Sequence, residues 1–154
     1  MSSYHQLNYH VIFATKYRKQ WIARGQRERL YQYVGGIVRS IEGHLIEIGG
    51  IEDHVHLLLN IPPTIAVSDA VRTIKANSSK WIHETRVFDV AFSWQKGYGA
   101  FTVSYSQCPV VRRYIQNQEL HHVRRSFKEE YVLFLQKHGL TYDPRYLFEQ
   151  EFHG

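Results

Sequence analysis

The stretch HVHLLLNI, residues 54–61, alternates in the way of an extended strand. Successive side chains of a strand point to opposite faces, so Val55, Leu57, Leu59 and Ile61 form one wholly apolar side. That side belongs to a core. His54, His56, Leu58 and Asn60 take the other side, and the two imidazoles are expected to point away from the densest packing. Pro62-Pro63 ends the strand, because proline brings no ladder N–H. Two histidines at i, i+2 have Cα atoms roughly 6–7 Å apart, close enough to ligate one metal ion. The pair alone is a weak signal, since histidines on a polar sheet face need bind nothing.

The neighbouring segments set this strand in a fold. QLNYHVIFAT (6–15) is β-branched and aromatic and reads as a strand, and KYRKQW after it reads as a basic, aromatic loop. From Gln26 to Glu42, Leu30, Tyr33, Val34, Ile37, Val38 and Ile41 recur at helical spacing. HLIEIGG (44–50) is a second strand, HVHLLLNI the third, and GAFTVSYS (99–106) a fourth. Between the last two lies an amphipathic helix over 65–86, with Val67, Ala70, Val71, Ile74, Ser78, Trp81 and Ile82 on its inner stripe. A further helix covers 109–122, with proline in its first turn. Ser126 and Glu129 form a capping box for a last helix, with Phe127, Tyr131, Phe134 and Leu135 on one side and Gly139 as its stop. The order is β-α-β-β-α-β plus C-terminal helices: an α+β, ferredoxin-like antiparallel sheet with helices on one face, in a single domain over 1–154. That architecture names no function.

Composition narrows the classes. A chain of 154 residues with 44% hydrophobic and 21% charged content fits one globular domain. The single cysteine, Cys108, excludes an internal disulfide framework and a four-cysteine zinc site. No stretch reaches the length of a membrane span and the N-terminus lacks a signal-peptide pattern, so a cytoplasmic protein is expected. The net charge of +5 is modest, but its arrangement is informative. TKYRK (15–19), ARGQRER (23–29), VRRYI (111–115) and VRRSFK (123–128) mix cations with Tyr17, Tyr31, Tyr114 and Phe127 nearby. That mixture suits a surface that pairs with phosphates and stacks on unpaired bases.

A metal site on the histidine pair needs a third ligand. In the helix from Pro109, Tyr114 and Gln118 stand at i, i+4 on one face with Val111. A glutamine in that stripe must be satisfied if buried, and its carbonyl oxygen can ligate a cation. DHVHLLL followed by YIQNQ about sixty residues later resembles the HUH-type single-tyrosine transposases of simple bacterial and archaeal insertion sequences, the IS200-like transposases and their REP-associated relatives. YHVIFATKYRK, SSKWIH and KGYGAFTVS resemble the same family, so the likeness covers about 4–122 and leaves a helical extension over about 123–154.

The resemblance implies that His54, His56 and Gln118 hold a divalent metal, Mg²⁺ or Mn²⁺, and that Tyr114 is the nucleophile. Tyr114 would attack a phosphodiester of single-stranded DNA to leave a 5′-phosphotyrosine and a free 3′-OH. Imperfect DNA hairpins at element ends would be the substrate, and a homodimer the assembly. Lys16, Arg18, Lys19, Arg72, Lys75, Arg112 and Arg113 are the candidate DNA contacts, and Asp53 a candidate to adjust the charge at the histidines. Two rival readings stand beside this one. A non-catalytic module would grip single-stranded nucleic acid with the same aromatics and arginines. A metal-dependent phosphodiesterase using activated water would leave no adduct and would tolerate Tyr114→Phe.

Overall fold

The computed structural model describes residues 1–148. Four antiparallel strands, β1 (Asn8–Ala14), β2 (His44–Ile51), β3 (His54–Asn60) and β4 (Gly99–Val103), form one sheet in the order β2-β3-β1-β4. This is the ferredoxin-like α+β arrangement. Helices α1 (Arg27–Ser40) and α2 (Val67–Thr85) connect β1 to β2 and β3 to β4 and pack on one face. The core there joins Val11, Phe13, Val55, Leu57 and Leu59 of the sheet to Leu30, Val34 and Val38 of α1 and Val71, Ile74 and Ile82 of α2. The apolar side of HVHLLLNI is therefore the side that meets both connecting helices.

The other face carries Asn8, His10, Ile12 and Ala14 of β1 opposite Asn60, Leu58, His56 and His54 of β3. It is covered too. Helices α3 (Cys108–Gln116), α4 (Gln118–His121) and α5 (Phe127–Lys137) lie over it. Cys108 and Ile115 pack on Leu58 and Val103, while Phe127 and Leu135 pack with Ile12, Ala14 and Phe101. The histidines thus do not point out of the packing: His54 and His56 are both 0% exposed. The sequence pattern marks β3's polar side correctly but cannot say that the chain's last third returns to cover it.

Three local features fix this cover. The helix expected over 109–122 is broken at Asn117 (φ −102°, ψ 24°), whose N–H returns to the Tyr114 carbonyl. Ser126 caps α5 by accepting the Glu129 N–H at 3.2 Å, as the capping box requires. Gly139, with φ 67°, takes a left-handed conformation just past the end of α5. Among the described residues, no helix is long and apolar enough to cross a membrane.

Candidate active site

β3 presents His54 and His56 to the covered face, and α3 to α5 bring polar groups down onto them. The centre of the cluster is Glu130 of α5, only 1% exposed. His56 Nε2 lies 2.9 Å from Glu130 Oε1, His122 Nε2 lies 3.2 Å from it, and His54 Nε2 lies 3.4 Å away. Gln118 Nε2 donates to Glu130 Oε2 at 3.1 Å, and the Tyr114 hydroxyl donates to that same oxygen. The Gln118 carbonyl oxygen is in turn 2.9 Å from His54 Nε2 and 3.1 Å from His122 Nε2. Behind the pair, Asp53 Oδ1 lies 2.7 Å from His54 Nδ1, and His10 Nε2 lies 2.8 Å from His56 Nδ1. A carboxylate or imidazole behind a ligand-type histidine fixes the ring and its tautomer.

Electrostatics separates the two histidines. Burial opposes a charge on His54, but hydrogen bonds to Asp53 and Glu130 outweigh it and raise its pKa to about 9. His56 is driven down to about 4 by burial, which Glu130 only partly offsets. His10 is also held well below its ordinary value, first by burial and then by His56. Burial, joined by the charge of Glu130, pushes the Tyr114 phenol above its ordinary range. Glu130 stays ionised despite its burial, because hydrogen bonds from His122, His54 and His56 hold its carboxyl far below the usual range.

The donor set has the chemistry of a metal centre. Ligand-type atoms of His54, His56, His122 and Glu130 all lie within 4.8 Å of one another, and the Gln118 oxygen faces the same point. Imidazoles mixed with carboxylate and amide oxygens suit a divalent cation of the Mn²⁺ kind; Mg²⁺ prefers oxygen ligands. Of the residues singled out in the sequence, His54, His56, Tyr114, Gln118 and Asp53 meet here. Glu130, His122 and His10 were not singled out. Glu130 did leave a trace: it stands between Phe127 and Phe134 at helical spacing, an acid inside the apolar stripe of α5.

The basic candidates divide by face. Lys16, Arg18 and Lys19 follow β1 in a loop whose start, the Thr15 N–H, bonds the Asp53 carbonyl beside His54. Tyr17 and Arg18 in that loop are left-handed (φ 55° and 53°), and Arg18 stacks on Phe148 at 4.6 Å. Arg112 and Arg113 are exposed on α3, where Arg112 Nε donates to Glu47 at 3.0 Å. Arg72 and Lys75 belong to α2 on the opposite face. Arg72 pairs with Asp69, and Lys75 donates to the carbonyls of Gln95 and Gly97 at 2.5 and 2.8 Å. The His-x-Thr triplet His83–Thr85 is on α2 as well, its His83 ring bound to the Phe92 carbonyl, and it lies apart from the cluster.

Comparison with known proteins gives the family. The chain is 32% identical over 120 residues to the transposase for insertion sequence element IS200 of Salmonella typhimurium, covering 71% of this chain and 75% of that one. It is 30% identical over 125 residues to the ISDra2 transposase TnpA of Deinococcus radiodurans, covering 74% and 85%. A crystal structure from Deinococcus radiodurans R1, assigned as a transposase, superposes with a TM-score of 0.61 at 27% identity and covers 77% of this chain and 95% of that one. A REP-associated tyrosine transposase bound to a REP hairpin shares the fold, with a TM-score of 0.59 at 16% identity, covering 79% and 74%. The family model described as transposase IS200 like matches residues 3–118, the whole sheet and the helix that carries Tyr114, and the chain therefore belongs to the IS200-like transposases of DNA transposition.

Proposed function

We propose that the chain cuts and rejoins single-stranded DNA through a covalent bond to Tyr114. The shared carboxylate supports this reading most. Tyr114 donates to Glu130, and His54, His56 and Gln118 meet the same group. A nucleophile and a metal-type donor set therefore lie in one cluster built from one chain.

Tyr114 Oη attacks the scissile phosphorus. A new Oη–P bond replaces the P–O3′ bond, and the phenolic proton leaves along its hydrogen bond to Glu130 and is taken up by an imidazole beside that carboxylate. The departing oxygen takes up a proton as a 3′-OH, and the cut strand stays on the protein as a 5′-phosphotyrosine. The ester bond is conserved, so a second 3′-OH can attack it and join new ends without ATP. The resting phenol is protonated, because its pKa lies above the ordinary tyrosine value, and a proton acceptor at its oxygen is what the reaction needs. His54, His56 and Gln118, with His122 and Glu130 beside them, would hold Mn²⁺ or Mg²⁺. Bound there, the cation supplies Lewis-acid polarisation of a nonbridging phosphate oxygen.

The DNA contacts are assigned to Lys16, Arg18, Lys19, Arg112 and Arg113, which share the end or the helix of the tyrosine cluster. Arg72 and Lys75 are left out, since α2 lies behind the sheet. A hairpin end is the proposed substrate, in keeping with the REP hairpin in the REP-associated relative. The proposed assembly is a homodimer whose protomers each hold a complete site, which light scattering with and without DNA tests.

The test of the function is a pool of single-stranded hairpins with varied flanks, incubated with Mn²⁺ or Mg²⁺. A protein–DNA adduct mapped to Tyr114 is expected, lost with EDTA and in Tyr114→Phe. Cleavage that survives Tyr114→Phe refutes the covalent mechanism in favour of activated water. Binding across the pool without any adduct identifies a binding module instead.

A further inference from the structure

A second cavity, of about 880 Å³, opens on the same sheet face as the histidines but at the other end of β3. Asn60 stands four residues beyond His56, roughly 13 Å along the strand. Its floor is a ladder of amides. Asn60 Nδ2 donates to Asn8 Oδ1 at 3.0 Å and to Gln6 Oε1 at 3.1 Å. Asn8 is 3% exposed, and its own Nδ2 has no partner among the described residues. A buried donor with no acceptor is costly, and native structures rarely keep one without a reason. Asn8 is itself one of the residues that line the cavity. The rim differs from the floor: Arg112 and Arg113 of α3 stand on it, and Tyr105, 73% exposed, stands beside them.

We propose that this cavity holds one unpaired nucleotide of the DNA flank, its base accepting a hydrogen bond from Asn8 Nδ2 and its phosphate facing Arg113. The division of chemistry selects the ligand. A free anion would need a cation at depth, and the depth offers neutral amides. A nucleotide puts neutral acceptors on its base edge and its charge on the phosphate, which matches an amide floor and an arginine rim. Tyr105 supplies a ring on which the base can stack. Volume agrees, since small-ligand sites run to about 300–1,000 Å³. The cavity then reads sequence while Tyr114, at the far end of α3, cuts. This inference rests on the reading of the chain as an enzyme of single-stranded DNA.

The test separates binding from cutting. Hairpins with randomised unpaired flanks are selected by retention on Tyr114→Phe protein, so no cleavage is needed. One base is expected to be enriched about tenfold at one flank position, the size of a good base-edge contact. Asn8→Asp, which keeps the shape and loses the donor, is expected to flatten that position and leave the rest of the profile unchanged. A photoreactive base at that position is expected to crosslink to Tyr105, and this readout stands if Asn8→Asp fails to fold. No enriched position, a profile that Asn8→Asp leaves intact, or a crosslink elsewhere overturns the proposal. A missing Tyr114 adduct in the wild type refutes the covalent mechanism while the selection still decides the cavity.

Discussion

Raising the pH should destabilise the metal-free protein through a single residue, His54. Its folded pKa is about 9 against an ordinary 6.5, because Asp53 and Glu130 hold the protonated ring in spite of its burial. A raised value stabilises the fold fully below 6.5, and the stabilisation is lost as pH climbs through about 9. The difference is worth about 3 kcal/mol, at about 1.4 kcal/mol for each tenfold change in proton affinity. The ring is fully buried, so solvent does not screen the effect. For a chain of this size, about 3 kcal/mol lowers the melting temperature by roughly 10 °C. Calorimetric melts in EDTA at about pH 6.5 and about pH 9.5 measure it. His54→Gln, which cannot hold the proton, is the control. Wild type should lose roughly 10 °C across the window and His54→Gln much less. An equal loss in both would show that His54 carries no such proton and that the hydrogen-bond pattern around Glu130 is wrong. Acid acts through other groups. The depressed values of His56, about 4, and of His10 mean that the unfolded chain binds protons first as pH falls below 6.5, so stability is lost on that side too.

Glu130→Gln keeps the volume and removes the carboxylate through which the Tyr114 proton leaves. Single-turnover adduct formation should slow by about 10²–10⁴-fold while hairpin binding persists, and an unchanged rate would remove Glu130 from proton transfer. Gly49→Ala should act from a distance: a Cβ there would lie 2.6 Å from the Ile115 carbonyl oxygen, so α3 must lift. A loss of about 1–3 kcal/mol is expected in denaturant melts. Adduct formation should fall by about 100-fold because Tyr114 moves with the helix, and a stability loss at full rate would refute that positioning role. Ser126→Ala removes the cap of α5 and should cost about 1 kcal/mol, seen as faster amide exchange at residues 127–130.

The sequence makes the sheet and its two connecting helices legible because each of those elements has one apolar side with a clear period. Val55, Leu57, Leu59 and Ile61 suffice to orient β3, and the structure packs all four in the core of α1 and α2. His54, His56, Tyr114 and Gln118 were also legible, since two short motifs hold them at fixed spacing. The rest of the cluster was not. Glu130 and His122 join it only through the break at Asn117 and the return of α5, and both depend on tertiary contact rather than on local pattern. Arg72 and Lys75 show what the sequence leaves open about a cation's surroundings. A helix face rich in cations looks available to phosphate until the fold sets it behind the sheet and gives Lys75 two carbonyls to hold.

α5 and the cluster require each other. A leucine in place of Glu130 would suit the apolar stripe of α5, yet it would leave His56 Nε2, Gln118 Nε2 and the Tyr114 hydroxyl as donors facing no acceptor. Each such donor costs about 1–3 kcal/mol when buried, more than one leucine side chain returns. Conversely, a lone carboxylate 1% exposed is tolerable only with those donors around it. The extension beyond the family match at residue 118 is therefore part of the tyrosine site, not a tail attached to it. The same logic divides the covered face in two. Leu58, 0% exposed and packed with Cys108 and Ile115, separates the histidine cluster from the Asn8 cavity. α3 spans both, with Tyr114 near one end and Pro109 at the rim of the cavity. On the proposed function, a strand of DNA that touches both ends of α3 would be held in a register set by the contact of α3 with Gly49, and a shift of that helix would change where the strand is cut as well as how fast.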